Sequence, residues 1–215
     1  MTVTPQHMLP SAFAKHLGAL KASAILRTDV ESAAAPAMEA AVRGGFRIVE
    51  FTLTTPGALG CIEKFSQREG LVVGAGTVLT VEDARFAVDR GATFLVSPVV
   101  DRAVIREAAS LGVAMMPGCH TPTEMLEAHR AGAPLQKLFP GPGTGPAYVR
   151  AILGPLPFLR IVPTSGVDED NAVAYLEAGA HALGFVNSLF DPDDVRAGHF
   201  DRIEERARRI LNSLP

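Results

Sequence analysis

Short apolar runs recur along the chain at spacings of about twenty residues, at positions 23–26, 47–53, 71–74, 94–97, 113–116, 135–139, 158–163 and 182–186. Continuous apolar runs of this length, closed by turn residues, read as strands buried on both faces. Between them lie stretches rich in Ala, Glu and Arg, at 31–43, 57–68, 81–90, 102–111, 123–131, 147–153, 168–178 and 200–211, with the spacing of helices. Several helical stretches run into a glycine (Gly44-Gly45, Gly91, Gly112, Gly132, Gly179), the residue that a left-handed C-terminal stop favours. Starts are marked as well: Thr121-Pro122 and Asp191-Pro192 each offer a capping side chain followed by a proline at the first helical position. Eight strand–helix units in about 200 residues predict a parallel (β/α)8 barrel near the lower size limit of that architecture. An open doubly wound sheet is the other arrangement, but the first strand is not followed by Gly-x-Gly-x-x-Gly. Gly74-Ala75-Gly76-Thr77 follows the third strand and lacks the later glycine. Residues 11–20, ahead of the first strand, read as an additional N-terminal helix.

Composition narrows the picture. The chain has 215 residues, 47% of them hydrophobic, enough for one sizeable core. No Ser/Gly-rich or charge-rich linker divides it, so residues 1–215 are expected to form a single barrel domain. The net charge is -3 with both signs interspersed, which offers no basic face for nucleic acid and no polybasic membrane anchor. The N-terminal eight residues lack a charged head followed by an apolar core, and no apolar run reaches spanning length. A cytoplasmic enzyme acting on a small neutral or anionic metabolite is the expectation. Cys61 and Cys119 are isolated in a chain too large to need staples, so both are expected as reduced thiols.

The most informative residue is Lys137, inside Leu135-Gln136-Lys137-Leu138-Phe139 and ahead of the breaker Pro140-Gly141. The chain holds four lysines against sixteen arginines, so an amine in an apolar strand does not follow from a generally basic composition. Burial of an unpaired ammonium is costly and favours the neutral amine, a nucleophile that forms a Schiff base with a carbonyl substrate. The bland reading is a snorkelling or structurally paired lysine. Glu50 is the second anomaly, a lone carboxylate in Ile48-Val49-Glu50-Phe51-Thr52. Alternation places it on the same face as Thr52, and the residues at the C-terminal ends of barrel strands converge on one site. Those ends also supply Arg27, Thr77, Pro98, Phe139, Ser165, Gly166, Asn187 and Ser188 as candidate substrate-binding residues. Cys119-His120 is a poor metal site without a second pair of ligands, and neither metal nor cofactor is expected. The arginines of the last helix, Arg202, Arg206, Arg208 and Arg209, alternate with acidic residues and read as a solvated face.

Six ordered blocks resemble one family, the class I aldolases that cleave 2-keto-3-deoxy-6-phosphogluconate and related acids, including 4-hydroxy-2-oxoglutarate. They are Gly44 to Leu53, Val73 to Leu79, Phe94 to Pro98, Pro117-Gly118 with Thr121 to Glu124, Lys137 to Pro140, and Pro163 to Val167. The resemblance implies a homotrimeric barrel with Lys137 as Schiff-base lysine and Glu50 as general acid/base. The residue types fit: an iminium on Lys137 is an electron sink for C3–C4 cleavage, and one carboxylate of raised pKa can shuttle every proton. The chain departs from the pattern at Thr54, where phosphogluconate-type members carry an arginine; Arg27 is the cation that can stand in for it. Ser165 replaces one of two usual glycines, and Val186-Asn187-Ser188 is bulkier than the usual Gly-Ser loop. The lack of the arginine, together with Ile25-Leu26-Arg27 and Tyr148-Val149-Arg150, leans toward the phosphogalactonate subgroup. The expected products are pyruvate and an aldehyde such as glyceraldehyde 3-phosphate. An unphosphorylated 2-keto acid, a phosphate-binding barrel isomerase or synthase, and a non-catalytic barrel stay open as alternatives.

Overall fold

The computed structural model describes residues 8–215. The absence of a leader was read on the N-terminal eight residues, of which all but Met8 lie outside the described part. The fold is α/β with all strand pairings parallel. The strands are β1 (Ala22–Leu26), β2 (Ile48–Thr52), β3 (Val72–Gly76), β4 (Phe94–Val96), β5 (Ala114–Met116), β6 (Gly118–Cys119), β7 (Gln136–Leu138), β8 (Ile161–Pro163) and β9 (Leu183–Phe185). Six pair in the order β5-β4-β3-β2-β1-β9 and three in the order β6-β7-β8. Pro117 interrupts what is otherwise one strand, so β5 pairs with β4 while β6 turns to β7. On the other side a single parallel bridge joins Thr164, just after β8, to Gly184 of β9.

The helices are α1 (Pro10–Leu20), α2 (Glu31–Arg43), α3 (Ala58–Ser66), α4 (Val81–Asp89), α5 (Arg102–Ser110), α6 (Pro122–Arg130), α7 (Pro146–Leu153), α8 (Ala172–Glu177), α9 (Pro192–Ala197) and α10 (Phe200–Ser213). Glycines with positive φ follow α2, α4, α5, α6 and α8, at Gly45, Gly91, Gly112, Gly132 and Gly179, as expected. Three expectations shift. The strand expected at 158–163 starts only at Ile161, because Leu159 bonds back to Leu156 in a turn and Phe158 stays exposed. The helix expected from Asp168 starts at Ala172, since Asp168 and Asn171 bond each other in a turn. A further short helix, α9, follows the Asp191 cap and fills the connection to α10.

Alternation along each strand splits the core in two. Val49, Phe51, Val73, Ala75, Leu95, Met115, Leu138, Ile161, Leu183 and Phe185 pack outward under the helices. Ile48, Val72, Phe94, Ala114, Leu135, Val162 and Ala182 face the opposite way and meet Phe13, Ala14 and Leu17 of α1, with Phe13 stacked on Phe94 at 4.4 Å. α1 therefore covers the N-terminal ends of the strands. Two residues further along the same faces come Glu50 after Ile48 and Lys137 after Leu135, at the opposite end from α1. Among the described residues no helix is long and apolar enough to cross a membrane.

Candidate active site

Lys137 and Glu50 occupy the interior layer just above the apolar residues that meet α1. Lys137 is held by its backbone N–H, which donates to Pro117 O at 3.0 Å, and by pairing with Gly118 and Val162. It is 4% exposed, and its Nζ lies 4.9 Å from the centre of the Phe139 ring. Burial holds its pKa below the usual lysine value; the Glu50 charge acts against this and Arg27 adds to it. Glu50 is fully buried, and burial pushes its carboxyl pKa up against the opposing pull of Lys137 and Arg27. Both carboxylate oxygens lack a hydrogen-bond partner among the described residues. Burial thus works against the charged form of both groups while the charge of each favours that of the other, and among the described residues the two do not come within the 4.0 Å of a direct ion pair.

Space for Glu50 comes from glycine. A Cβ on Gly76 would stand 2.0 Å from Glu50 Oε1, and one on Gly74 would stand 2.3 Å from the Phe94 ring. The interior face of β3 is thus bare where β2 and β4 project their largest groups.

A cavity of about 270 Å³ opens over Lys137, lined also by Ile25, Arg27, Phe139 and the loops after β8 and β9. It brings together the predicted Arg27, Lys137, Phe139, Ser165, Gly166, Asn187 and Ser188. Glu50, Thr77 and Pro98 are not among its lining residues; Glu50 lies fully buried beside it in the interior layer. Thr77 follows Gly76 in a left-handed conformation (φ 58°), and the Pro98 backbone packs against Gly118. Arg27 is exposed and in no salt bridge among the described residues, so its guanidinium is available to an anion. Its neighbour is anchored: Thr28 N–H donates to Thr55 Oγ1 at 3.2 Å, and Thr52 Oγ1 lies 3.1 Å from the hydroxyls of both Thr54 and Thr55.

The far end of the cavity is built by the loops. The backbone N–H groups of Gly166, Val167, Asn187 and Ser188 donate to no other protein group among the described residues. The Ser188 hydroxyl donates to Val167 O at 2.6 Å, which leaves its backbone N–H as the donor that faces the cavity. Asp168 also lines this end and was missed, because a polar residue opening a helix-like segment carries no signal of its own. Its Oδ1 accepts from the N–H groups of Asp170 and Asn171. Cys61 and Cys119 are both free, and burial raises the Cys119 thiol to about 12, so it is protonated and inert. Among the described residues no group of three His, Cys, Asp or Glu side chains is placed to hold a metal.

Comparison with known proteins agrees with this geometry. The family model "Aldolase: KDPG and KHG aldolase" matches residues 14–206. The chain is 39% identical over 172 residues to the "Probable 2-dehydro-3-deoxy-6-phosphogalactonate aldolase" of Rhizobium meliloti (strain 1021), spanning 79% of this chain and 81% of that one. A solved structure described as "Native KDPGal structure" is similar with a TM-score of 0.81 at 30% identity, over 89% of this chain and 93% of the other. A KDPG aldolase from Legionella pneumophila, solved with pyruvate captured at low pH as a covalent carbinolamine intermediate, is similar with a TM-score of 0.80 at 25% identity. That match covers 90% of this chain and 97% of the other.

Proposed function

The chain belongs to the KDPG and KHG aldolase family, and on that premise we propose that it is a class I aldolase for a 6-phosphorylated 2-keto-3-deoxy sugar acid, in the phosphogalactonate or phosphogluconate series. The observation that carries this reading is a buried amine of lowered pKa at a cavity, with a carboxyl group of raised pKa and two unpartnered oxygens in the same interior layer. Lys137 Nζ adds to the C2 ketone to give a carbinolamine. Loss of water, with a proton supplied by Glu50, gives the iminium. The C3–C4 bond then breaks and its electron pair flows into the iminium, leaving an enamine on Lys137. The C4 hydroxyl loses its proton to Glu50 as the aldehyde departs. Protonation of the enamine carbon and hydrolysis release pyruvate and return the amine. Arg27 holds the substrate carboxylate, in place of the arginine that Thr54 replaces, and Phe139 walls the ketone.

Four unpartnered backbone N–H groups at the far end favour a phosphate over the short acid 4-hydroxy-2-oxoglutarate. Family membership leaves the isomerase, synthase and non-catalytic readings without support. The bridge at Thr164–Gly184 and the shared β5–β6 strand support a single domain closed as a (β/α)8 barrel, with α1 as the additional helix at its base. We also propose a cytoplasmic homotrimer; the apolar groove of Leu53, Pro56, Leu59 and Phe86 is a face that such an assembly would cover, and sedimentation at three times the chain mass checks it.

The test is reduction with borohydride in the presence of pyruvate. Lys137 is expected to gain a reduced pyruvyl group, seen by peptide mass, and Lys137→Arg to lose both the adduct and turnover. No adduct on the wild-type chain overturns the aldolase reading.

A further inference from the structure

The loop after β8 carries three successive carbonyls: Ser165 O packs against Gly141, and Gly166 O and Val167 O accept side-chain hydrogen bonds. Ser165 O sits so close to Gly141 that a Cβ there would stand 2.2 Å away. Gly166 O accepts from Asn171 Nδ2 at 2.8 Å. Val167 O accepts from Ser188 Oγ at 2.6 Å. A trans peptide plane points its C=O and N–H in opposite directions. Fixing Gly166 O therefore aims the N–H of Val167, and the packing of Ser165 O against Gly141 limits how the N–H of Gly166 can turn. Asn171 acts twice, since its Oδ1 also accepts from Asp168 N–H at 3.0 Å and takes that donor out of play. Ser165 and Gly166 both adopt left-handed φ, at 72° and 77°. For Ser165 that conformation is unfavourable without outside support. Gly166 and Val167 line the cavity and have no other partner among the described residues.

We propose that Asn171 and Ser188 are positioning residues for the distal anion: they clamp the carbonyls of Gly166 and Val167, and this clamp sets the preference for a phosphorylated over an unphosphorylated sugar acid. The inference rests on the phosphate-binding reading above. Ser188 acts by tying the two loops together: its bond to Val167 O joins the loop that carries the N–H groups of Asn187 and Ser188 to the loop that carries those of Gly166 and Val167. Gly141, on the loop that leaves β7, links the clamp to the strand of Lys137, so the two ends of the substrate are held by parts that touch.

The test measures KM and kcat for 2-keto-3-deoxy-6-phosphogalactonate and for its unphosphorylated counterpart. In Asn171→Ala the KM for the phosphorylated acid rises about tenfold, the loss expected when hydrogen bonds to a charged group are misaligned. Its kcat and the KM for the unphosphorylated acid move by less than about twofold. Ser188→Ala, the milder change, shifts the same KM in the same direction, and Ser188→Thr, which keeps the hydroxyl, restores it. Variants that keep the wild-type KM, or that lose affinity for both acids alike, overturn the clamp. A wild-type enzyme indifferent to the phosphate overturns the substrate reading, and the clamp with it; a wild type that prefers phosphate beside unaltered variants overturns the clamp alone.

Discussion

Gly76→Ala tests whether the position of one carboxylate limits the reaction. Gly76 is not in a left-handed conformation, so its backbone accepts alanine without strain. What the methyl group meets is Glu50: the added carbon would stand 2.0 Å from Oε1, 2.8 Å from Cδ and 3.1 Å from Cγ. Ordinary contact begins near 3.4 Å, so the carboxyl group must retreat by about 1.4 Å. A displacement of about 1 Å in a reacting group costs on the order of a hundredfold in rate. Overpacking of this kind also costs about 1–3 kcal/mol of stability. Gly74→Ala, two residues earlier on the same face, is the comparison, since the three atoms nearest its added methyl group all belong to the Phe94 ring, the closest at 2.3 Å. Steady-state cleavage, monitored by coupling pyruvate to its reduction, and thermal unfolding by circular dichroism separate the two effects. Both variants lose stability; only Gly76→Ala loses about two orders of magnitude in kcat. If the two variants show the same kcat, Glu50 is not the proton carrier and its burial is structural.

The residues most legible in the sequence were those whose chemistry contradicts their surroundings. Lys137 and Glu50 are charged groups in otherwise apolar strands, and alternation alone turns both to the interior. The helix ends at Gly91, Gly112 and Gly132 were legible because only glycine adopts their conformation without cost. What was not legible depends on partners distant in the chain. Asn171 looks like any polar residue near a helix start, and its role appears only with Gly166 O and Asp168 N–H in place. Ser188 lines the cavity as its place at a strand end suggested, but the partner of its hydroxyl, Val167 O at 2.6 Å, is 21 residues away in the chain and carried no local signal. Arg202 and Arg206 read as a solvated face, yet both reach Asp194 of α9, at 3.0 and 2.6 Å, a helix that the strand–helix count had left out. Local pattern reports what a residue wants; tertiary structure decides which of several wants is met.

Asp194→Asn removes the carboxylate that joins α9 to Arg202 and Arg206. Its side chain is only 9% exposed, so the loss is about 2 kcal/mol, or about 4–8 °C in Tm for a chain of this size. Its pKa is lowered in the folded state, chiefly by the Arg206 hydrogen bond, so this stabilisation is present above the unfolded carboxylate value of about 3.9 and disappears as pH falls through the folded value. Acid unfolding followed by circular dichroism is correspondingly shallower in the variant, and equally steep curves would contradict the assignment. Thr55→Val removes the hydroxyl that holds Thr28 N–H beside Arg27. It raises KM for every 2-keto acid, pyruvate included, with kcat nearly retained; a loss in kcat at unchanged KM would place Thr55 elsewhere in the mechanism. The sharpest test of the charges around the amine is a pair of opposite shifts. The Glu50 charge raises the Lys137 pKa and the Arg27 charge lowers it, both against a larger lowering by burial. Schiff-base formation needs the free amine, so its rate rises with pH through the Lys137 pKa. Glu50→Gln removes the group that favours the ammonium, and the acid limb of the borohydride-trapped rate with pyruvate moves to lower pH. Arg27→Gln removes a repelling cation, and the limb moves to higher pH. Each variant is read as the midpoint of its own profile, which separates the shift from any fall in the absolute rate. Shifts of the same sign in the two variants, or none in either, would mean that neither charge reaches the amine and that desolvation alone makes it nucleophilic.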